Sequence, residues 1–308
     1  MSGDARLLTY GELRREAAGA LRAAGVSAAA LEARLMAERA AGMTRTEYLR
    51  EDGATAPKGV AETLRQMTRR RERGEPAAYI TGEWEFYSLP ILVSRATLIP
   101  RADTETLAAH AIEILTALFD EFPASPALRV LDLCAGTGCV GLAIAANVQG
   151  VEVTLADKYD GAAELCRKNI ERCALSARLS VAPADALLPP PRDMGAFDMI
   201  VCNPPYIPTG DIDATDVSVR EYEPMYALDG GADGLLFFRA IAHLWKSALK
   251  NGGYLLFECG AAQADDVQRI LRDNGFTQLS TATDTGGHVR VVAGQLKIFD
   301  KGTSKDGS

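Results

Sequence analysis

From about residue 127 the 308-residue sequence repeats one pattern: apolar strand, turn, helix. The strands read as "RVLDLC" (129–134), "VEVTLA" (151–156), "LSVAPA" (179–184), "FDMIVCN" (197–203) and "GYLLFEC" (253–259). Runs that are apolar on both alternations, with helical stretches between them, require a parallel sheet covered on both faces. The pattern therefore points to an α/β fold. Its end differs, because "TQLSTATD" and "VRVVAGQL" flank "TGGH" as a hairpin does, which adds an antiparallel edge. The polar tail "KGTSKDGS" (301–308) reads as disordered.

Residues 1–75 read as a small helical bundle. Thr9 to Glu12 and Thr44 to Glu47 fit the capping box, a hydroxyl followed three residues later by Glu. Leu31, Leu35 and Met36 repeat at helical spacing and predict one apolar face. A further helix runs through "VAETLRQMTRRRER" and stops at "GEP". Residues 76–102 form a linker in which "EWEFYSLPILVSRATLIP" predicts a short β-hairpin centred on Ser88, Leu89 and Pro90. A helix capped by Asp103 or Thr104 then opens the larger domain, expected to span 103–300.

No window approaches the roughly 18 uninterrupted apolar residues that a membrane helix needs. The N-terminus carries an early acid and lacks a signal peptide's apolar centre, so the cytoplasm is the expected location. The six cysteines show no CxxC pair and read as small buried hydrophobes. Three histidines, well apart in sequence, argue against a metal site. The net charge of −8 argues against stable binding to a nucleic-acid backbone. Residues 1–74 nevertheless carry 14 Lys and Arg against 10 Asp and Glu, on an otherwise acidic chain. That mild surplus suits an acidic docking partner, a contact with RNA, or ordinary solvated helix faces.

The segment "VLDLCAGTGCVGLAIA" (130–145) is a strand, a glycine turn and a helix start. Gly136, Gly138 and Gly141 satisfy the dinucleotide spacing, and Asp157 ends the next strand where an acid accepts from a ribose diol. A nicotinamide dinucleotide and S-adenosylmethionine both carry such a ribose. Asp132, inside the strand before the turn, favours S-adenosylmethionine: its carboxylate attracts the cationic methionine part and would repel a pyrophosphate. Asp185, after the third strand, either accepts from an adenine amino group or caps a turn.

"VCNPPYIP" (201–208) ends the fourth strand with two prolines, which supply no N–H and stiffen the chain. One reading is a strand-terminating turn. The other is a grip on a planar NH₂ group. In it the Asn203 side-chain oxygen and the Pro204 carbonyl each accept one N–H, Pro205 stiffens the loop, and the Tyr206 ring lies on the substrate's π-face. Holding both N–H bonds pushes electron density onto nitrogen and stabilises the charge that develops on methylation. A glutamine amide and the amino group of adenine or guanine fit equally well at this point.

In combination, "GEPAAYITGEWEFYSLPILVSRATLIPRADTETL" (74–107), the glycine segment, "NPPYIP", "YEPMYALDGGADGL" (222–235) and "FECG" (257–260) resemble the bacterial peptide chain release factor N5-glutamine methyltransferases. The resemblance covers nearly the whole chain. It implies a seven-stranded, Rossmann-like class I methyltransferase sheet with a helical N-terminal substrate-docking domain and a β-hairpin linker. It implies S-adenosyl-L-methionine as methyl donor, S-adenosyl-L-homocysteine as product, and as substrate the glutamine of the Gly-Gly-Gln motif in release factors. Its cofactor positions fall on Cys134, Ala135, Gly136, Thr137, Gly138, Asp157, Ala186 and Asn203, and its glutamine-binding positions on Asn203, Pro204, Pro205 and Tyr206. The chain departs from the family at Cys134-Ala135, where members often have Gly-Thr. It also has Ala102 in place of a usual Pro, and Ala186 in place of an aromatic beside adenine. The main rival is a nucleic-acid amino-methyltransferase using the same NPPY site, which the acidic catalytic half disfavours. A dinucleotide-dependent oxidoreductase leaves NPPY and Asp132 unexplained, and a non-catalytic binding module leaves every chemical position without a purpose.

Overall fold

The computed structural model describes residues 7–121 and 127–297. The tail at 301–308, expected to be disordered, lies outside the described residues, as do 298–300 of the expected larger domain. The chain divides into two compact units, one running to Trp84 and taking in Asp216–Tyr222, the other formed by Glu85–Thr215 and the chain from Glu223 on.

The first unit contains α1 (Tyr10–Ala23), α2 (Ala29–Ala41), α3 (Arg45–Arg50), α4 (Lys58–Glu72) and α5 (Ala77–Thr81). Both capping boxes form: Thr9 and Thr44 accept from the N–H of Glu12 and Glu47, and those carboxylates accept from the threonine N–H groups. Each such cap stabilises its helix by about 1 kcal/mol. The core is built from Leu13, Leu21, Met36, Tyr48 and Leu64, and the Tyr48 hydroxyl donates to the Tyr10 carbonyl at 2.8 Å. The packed face of α2 differs from the one expected. Leu31 is 46% exposed, and the buried positions are Ala29, Ala33, Met36 and Ala37. Small side chains let neighbouring helices approach closely, so the alanine side packs and one of the two leucines is left outside. The arginines of α4 are largely engaged, with Arg65 on Glu16, Arg70 on Glu75 and Arg71 on Glu32.

Strands β1 (Glu83–Phe86) and β2 (Leu89–Leu92) pair as a two-stranded sheet. The turn is Tyr87 and Ser88, both left-handed at φ 50° and 62°, which matches the twist that two-residue hairpin loops need. It therefore lies one residue earlier than expected, and Leu89 and Pro90 belong to β2.

The remaining elements follow in chain order. They are α6 (Thr104–Glu121), β3 (Leu128–Leu133), α7 (Cys139–Asn147), β4 (Val151–Asp157), α8 (Asp160–Arg172), β5 (Leu179–Pro183) and β6 (Phe197–Cys202). Then come α9 (Val217–Arg220, part of the first unit), α10 (Leu236–Leu244), β7 (Leu249–Glu258), α11 (Ala264–Asp273), β8 (Phe276–Thr283) and β9 (Val289–Leu296). Seven strands form one sheet in the order β5-β4-β3-β6-β7-β9-β8. The first five of these are parallel, and β9 runs antiparallel to both β7 and β8. The expected antiparallel edge is present. β7 starts at Leu249 rather than 253, because the register jumps from Phe197↔Leu249 to Met199↔Tyr254 and the intervening residues bulge out.

The order reverses between β3 and β6. In open α/β sheets, ligands bind outside the carboxyl ends of the strands at such a switch point. Val130 to Leu133 are buried throughout, and α7 is buried at every position from Cys139 to Ala145. A helix apolar all round has neighbours all round. Four cysteines are buried as expected, while Cys134 and Cys173 are half-buried, and all six are free thiols.

Candidate active site

The glycine turn joins β3 to α7. Gly136 and Gly138 take φ of +56° and +79°, and a Cβ on Gly138 would stand 2.7 Å from Leu155. At Gly141 the reason is packing: a Cβ there would stand 2.3 Å from the Leu155 side chain, so glycine is what lets α7 settle on β4. Asp157, at the end of β4, accepts from Gly136 N–H at 2.9 Å and from Tyr159 N–H at 3.0 Å. The Lys158 N–H also lowers its pKa as a backbone donor, and a carboxylate with about four acceptor sites has one left for a hydroxyl donor. The Thr137 carbonyl accepts from Asn169 Nδ2 at 2.9 Å, and the same buried amide pairs with both polar backbone groups of Leu92. One side chain thus ties the hairpin to the glycine turn.

Asp132 is 2% exposed, and its Oδ2 accepts from Gly141 N–H at 2.9 Å. Burial pushes its carboxyl up to about 7, against the pull of the Gly141 bond and with help from the nearby Asp157 charge. Burial raises Asp157 as well. Two acids converging on a bare glycine backbone suit a cationic ligand and not a pyrophosphate.

Asp185 accepts from Leu187 N–H at 3.0 Å and pairs with Lys158 at 2.9 Å. Burial alone would raise it, but the Leu187 bond and the Lys158 ammonium outweigh that and hold it below the usual range. The methyl of Ala186 is packed in the core, and its carbonyl accepts from the Trp245 indole at 3.2 Å. An aromatic surface that the sequence did not advertise lies close by. Tyr159, two residues after Asp157, stacks on Tyr226 at 3.8 Å between ring centroids, and the Tyr226 hydroxyl donates to the Ala96 carbonyl. Cys134 is left-handed at φ +60°, a conformation that glycine adopts without strain.

Asn203 follows β6 directly, on the same rim as the glycine turn. Its Nδ2 donates to Thr104 Oγ1 at 3.3 Å, which leaves Oδ1 as the free end of the amide. Pro204 and Pro205 are buried and Tyr206 is half-buried. The loop is clamped along its length. Ile207 exchanges backbone bonds with Leu228 and Gly230, and the Tyr206 carbonyl accepts from Gln263 Nε2 at 2.9 Å. A Cβ on Gly230 would stand 2.7 Å from the Tyr206 Cα, and one on Gly234 would stand 2.4 Å from the Tyr206 carbonyl oxygen. The glycines of "LDGGADG" are therefore what admits that segment against NPPY.

Thr104, Glu258 and Gln263 are the neighbours that sequence reasoning missed as parts of this site. For Glu258 a signal existed: it is the acid that ends the apolar run "YLLFE", at the carboxyl end of β7. Burial raises the Tyr206 phenol, whose hydroxyl lies 3.4 Å from Glu258 Oε1. Among the described residues no cluster of His, Cys, Asp and Glu is arranged to hold a metal, and no helix is long and apolar enough to cross a membrane.

Residues 12–82 match the family model of the PrmC N-terminal domain, and residues 110–219 match that of the methyltransferase small domain. The release factor glutamine methyltransferase of Geobacter sulfurreducens is 38% identical over 279 residues, covering 90% of this chain and 93% of that protein. The enzyme of the same name from Vibrio cholerae is 38% identical over 277 residues, again covering 90% and 93%. Among solved structures, the catalytic domain of hMettl16 in complex with the MAT2A 3'UTR hairpin 6 aligns with a TM-score of 0.52 at 18% identity, covering 79% of this chain and 82% of that one. That likeness concerns the class I methyltransferase fold alone. With one relative after another similar from end to end, the chain belongs to the release factor glutamine methyltransferase family.

Proposed function

We infer that this protein transfers a methyl group from S-adenosylmethionine to a glutamine side chain of peptide chain release factors, and that the glutamine is that of the Gly-Gly-Gln motif. The observation that carries this is the state of Asn203: its NH₂ is committed to Thr104, so its oxygen is the end offered to a substrate, beside a proline-stiffened carbonyl.

S-adenosylmethionine supplies an electrophilic methyl on a sulfonium. Cys134, Ala135, Gly136, Thr137 and Gly138 would form the backbone cradle for it, and Asp132 would meet its cationic end. Asp157 would accept from a ribose hydroxyl, and Asp185 and Ala186 would border the adenine. The exposed Tyr159–Tyr226 stack supplies the flat face that Ala186 does not. Asn203 Oδ1 and the Pro204 carbonyl accept the two amide hydrogens, Pro205 keeps the loop stiff, and Tyr206 flanks the amide plane. An amide nitrogen is a poor nucleophile because its lone pair is delocalised. Two fixed acceptors raise its electron density and stabilise the positive charge as the bond forms. That stabilisation needs no reordering of the loop at each turnover. Residues 1–75 dock the body of the release factor, 76–102 link, and the reaction takes place in the cytoplasm, where release factors act.

The test uses S-adenosylmethionine with a labelled methyl. Label is expected on an intact release factor and not on the same factor with its Gly-Gly-Gln glutamine changed to alanine. DNA and ribosomal RNA are run in parallel, and label on nucleic acid alone would overturn the substrate assignment. The docking role predicts that removing residues 1–75 lowers efficiency on the intact factor more than on a short peptide carrying the motif.

A further inference from the structure

Glu258 is buried at the last residue of β7, 2% exposed. Its carboxyl is hydrogen-bonded to the Thr104 hydroxyl, and its Oε1 lies 3.4 Å from the Tyr206 hydroxyl. Its Oε2 is buried without a hydrogen-bond partner. Buried carboxyl oxygens are rarely left so unless the group serves a purpose that offsets the cost. Arg290 influences Glu258 only from a distance, since its guanidinium is bound to Asp103 at 2.9 Å and Asp284 at 2.8 Å.

The hydroxyl of Thr104 has one proton to give. A carboxylate accepts only, so that proton goes to Glu258, and the Thr104 oxygen must then accept from its other neighbour. That neighbour is the Asn203 amide at 3.3 Å, which can satisfy Thr104 only by presenting Nδ2. The Asn203 oxygen is thereby turned outward. We propose that Glu258, acting through Thr104, is a positioning residue that fixes which end of the Asn203 amide meets the substrate nitrogen. The proposal rests on the reading of NPPY as the glutamine grip.

The relay has a direction only while Glu258 is ionised. A protonated Glu258 can donate to Thr104, and Thr104 is then free to donate to Asn203 Oδ1, which turns the amide round and points N–H at N–H. Burial lifts this carboxyl to about 7. The groups facing it are Thr104 from the start of α6 and Asp103 just before it, Tyr206 from the loop, Arg290 from β9, Cys259 next in the chain and Cys139 from α7. Asp103 raises it further, while Thr104, Tyr206 and Arg290 lower it. The turnover rate should therefore climb as pH rises through about 7 and level off above.

The experiment measures kcat and KM of the full chain on an intact release factor between about pH 6 and 9, for the wild type, Glu258→Gln, Thr104→Val and Thr104→Ser. Glutamine matches the shape but is no longer acceptor-only and so does not fix the direction of the Thr104 bond, and valine removes the relay. Each should lower kcat roughly 100-fold at pH 8, the scale of losing one preorganised polar group. KM for the factor and Kd for S-adenosylmethionine should stay within about twofold. Thr104→Ser, which keeps the hydroxyl, should remain within about threefold of wild type, and the rise near pH 7 should vanish in Glu258→Gln. Near-normal kcat in either disabling variant, a rise that persists in Glu258→Gln, or Thr104→Ser as slow as Thr104→Val would overturn the proposal. If Glu258→Gln does not fold, the valine and serine pair decides. A wild type that leaves the factor unlabelled overturns the substrate reading and this proposal with it, whereas an active wild type with unaffected variants overturns this proposal alone.

Discussion

The carboxyl ends of β3 and β7 lie on either side of β6, and each carries a buried acid. Burial lifts both Asp132 and Glu258 to about 7. Their partners differ in kind. Asp132 is held by a backbone N–H at the start of α7, a donor that cannot change role. Glu258 is held by two hydroxyls, which can donate or accept, and keeps one oxygen unbonded. A fixed donor keeps a charge in place for a cationic ligand to meet. A reversible donor passes on a choice of direction. On the reading proposed above, the same cost of burial serves charge recognition on one side of NPPY and hydrogen-bond polarity on the other.

The sharpest way to break this contrast is at the group both acids flank. Asn203→Ala should lower kcat/KM on the release factor about 10³-fold, because it removes one of two acceptors for the developing charge. The labelled-methyl assay reads it, and a loss under tenfold would mean that Asn203 is a turn residue and not a grip.

Next in size is the shared cost of burial. A carboxyl whose pKa is higher folded than unfolded binds more protons in the native state between the two values. Stability should therefore fall as pH rises from about 4.5 to about 7 and flatten above. Each acid contributes on the order of 3 kcal/mol to that fall. Urea titrations across this range should show it, and Asp132→Asn and Glu258→Gln should each remove about half of the slope.

The two sides should then separate on cofactor binding. Asp132→Asn should weaken S-adenosylmethionine about tenfold to a hundredfold by calorimetry, through loss of a carboxylate facing a cation. Wild-type affinity should tighten as Asp132 ionises through about pH 7, and the asparagine variant should show no such trend. Glu258→Gln should leave affinity unchanged. The smallest effect concerns Cys134, which holds φ +60° with a side chain attached. Cys134→Gly should stabilise the protein by about 1 kcal/mol, read as a rise in Tm.

Much of this site was legible beforehand because local chemistry writes it. Gly136 and Gly138 mark a left-handed turn, Asp157 closes the strand that follows, and two prolines after Asn203 stop β6 at a stated residue. The misreadings have local causes too. Helical spacing groups Leu31 with Leu35 and Met36 on one face of α2, whereas the buried positions are Met36 with Ala29, Ala33 and Ala37. The apolar pattern starts the last parallel strand at Gly253, whereas β7 begins at Leu249 and carries the residues between as a bulge.

By itself, the sequence determined the α/β class, the parallel run of strands with its antiparallel end, and which residues stand at the ends of β3, β4 and β6 as candidates for the site. Each depends on period, turn propensity or the chemistry of neighbours in the chain. Only the tertiary structure decided that Thr104 and Glu258 meet behind Asn203, that Asn169 ties the hairpin to the glycine turn, and that Gly230 and Gly234 admit a clamp onto Tyr206. Those residues lie far apart in sequence, and no local propensity relates them. The order of the strands and the packing of the sheet bring them together, and the direction of their hydrogen bonds exists only once they touch.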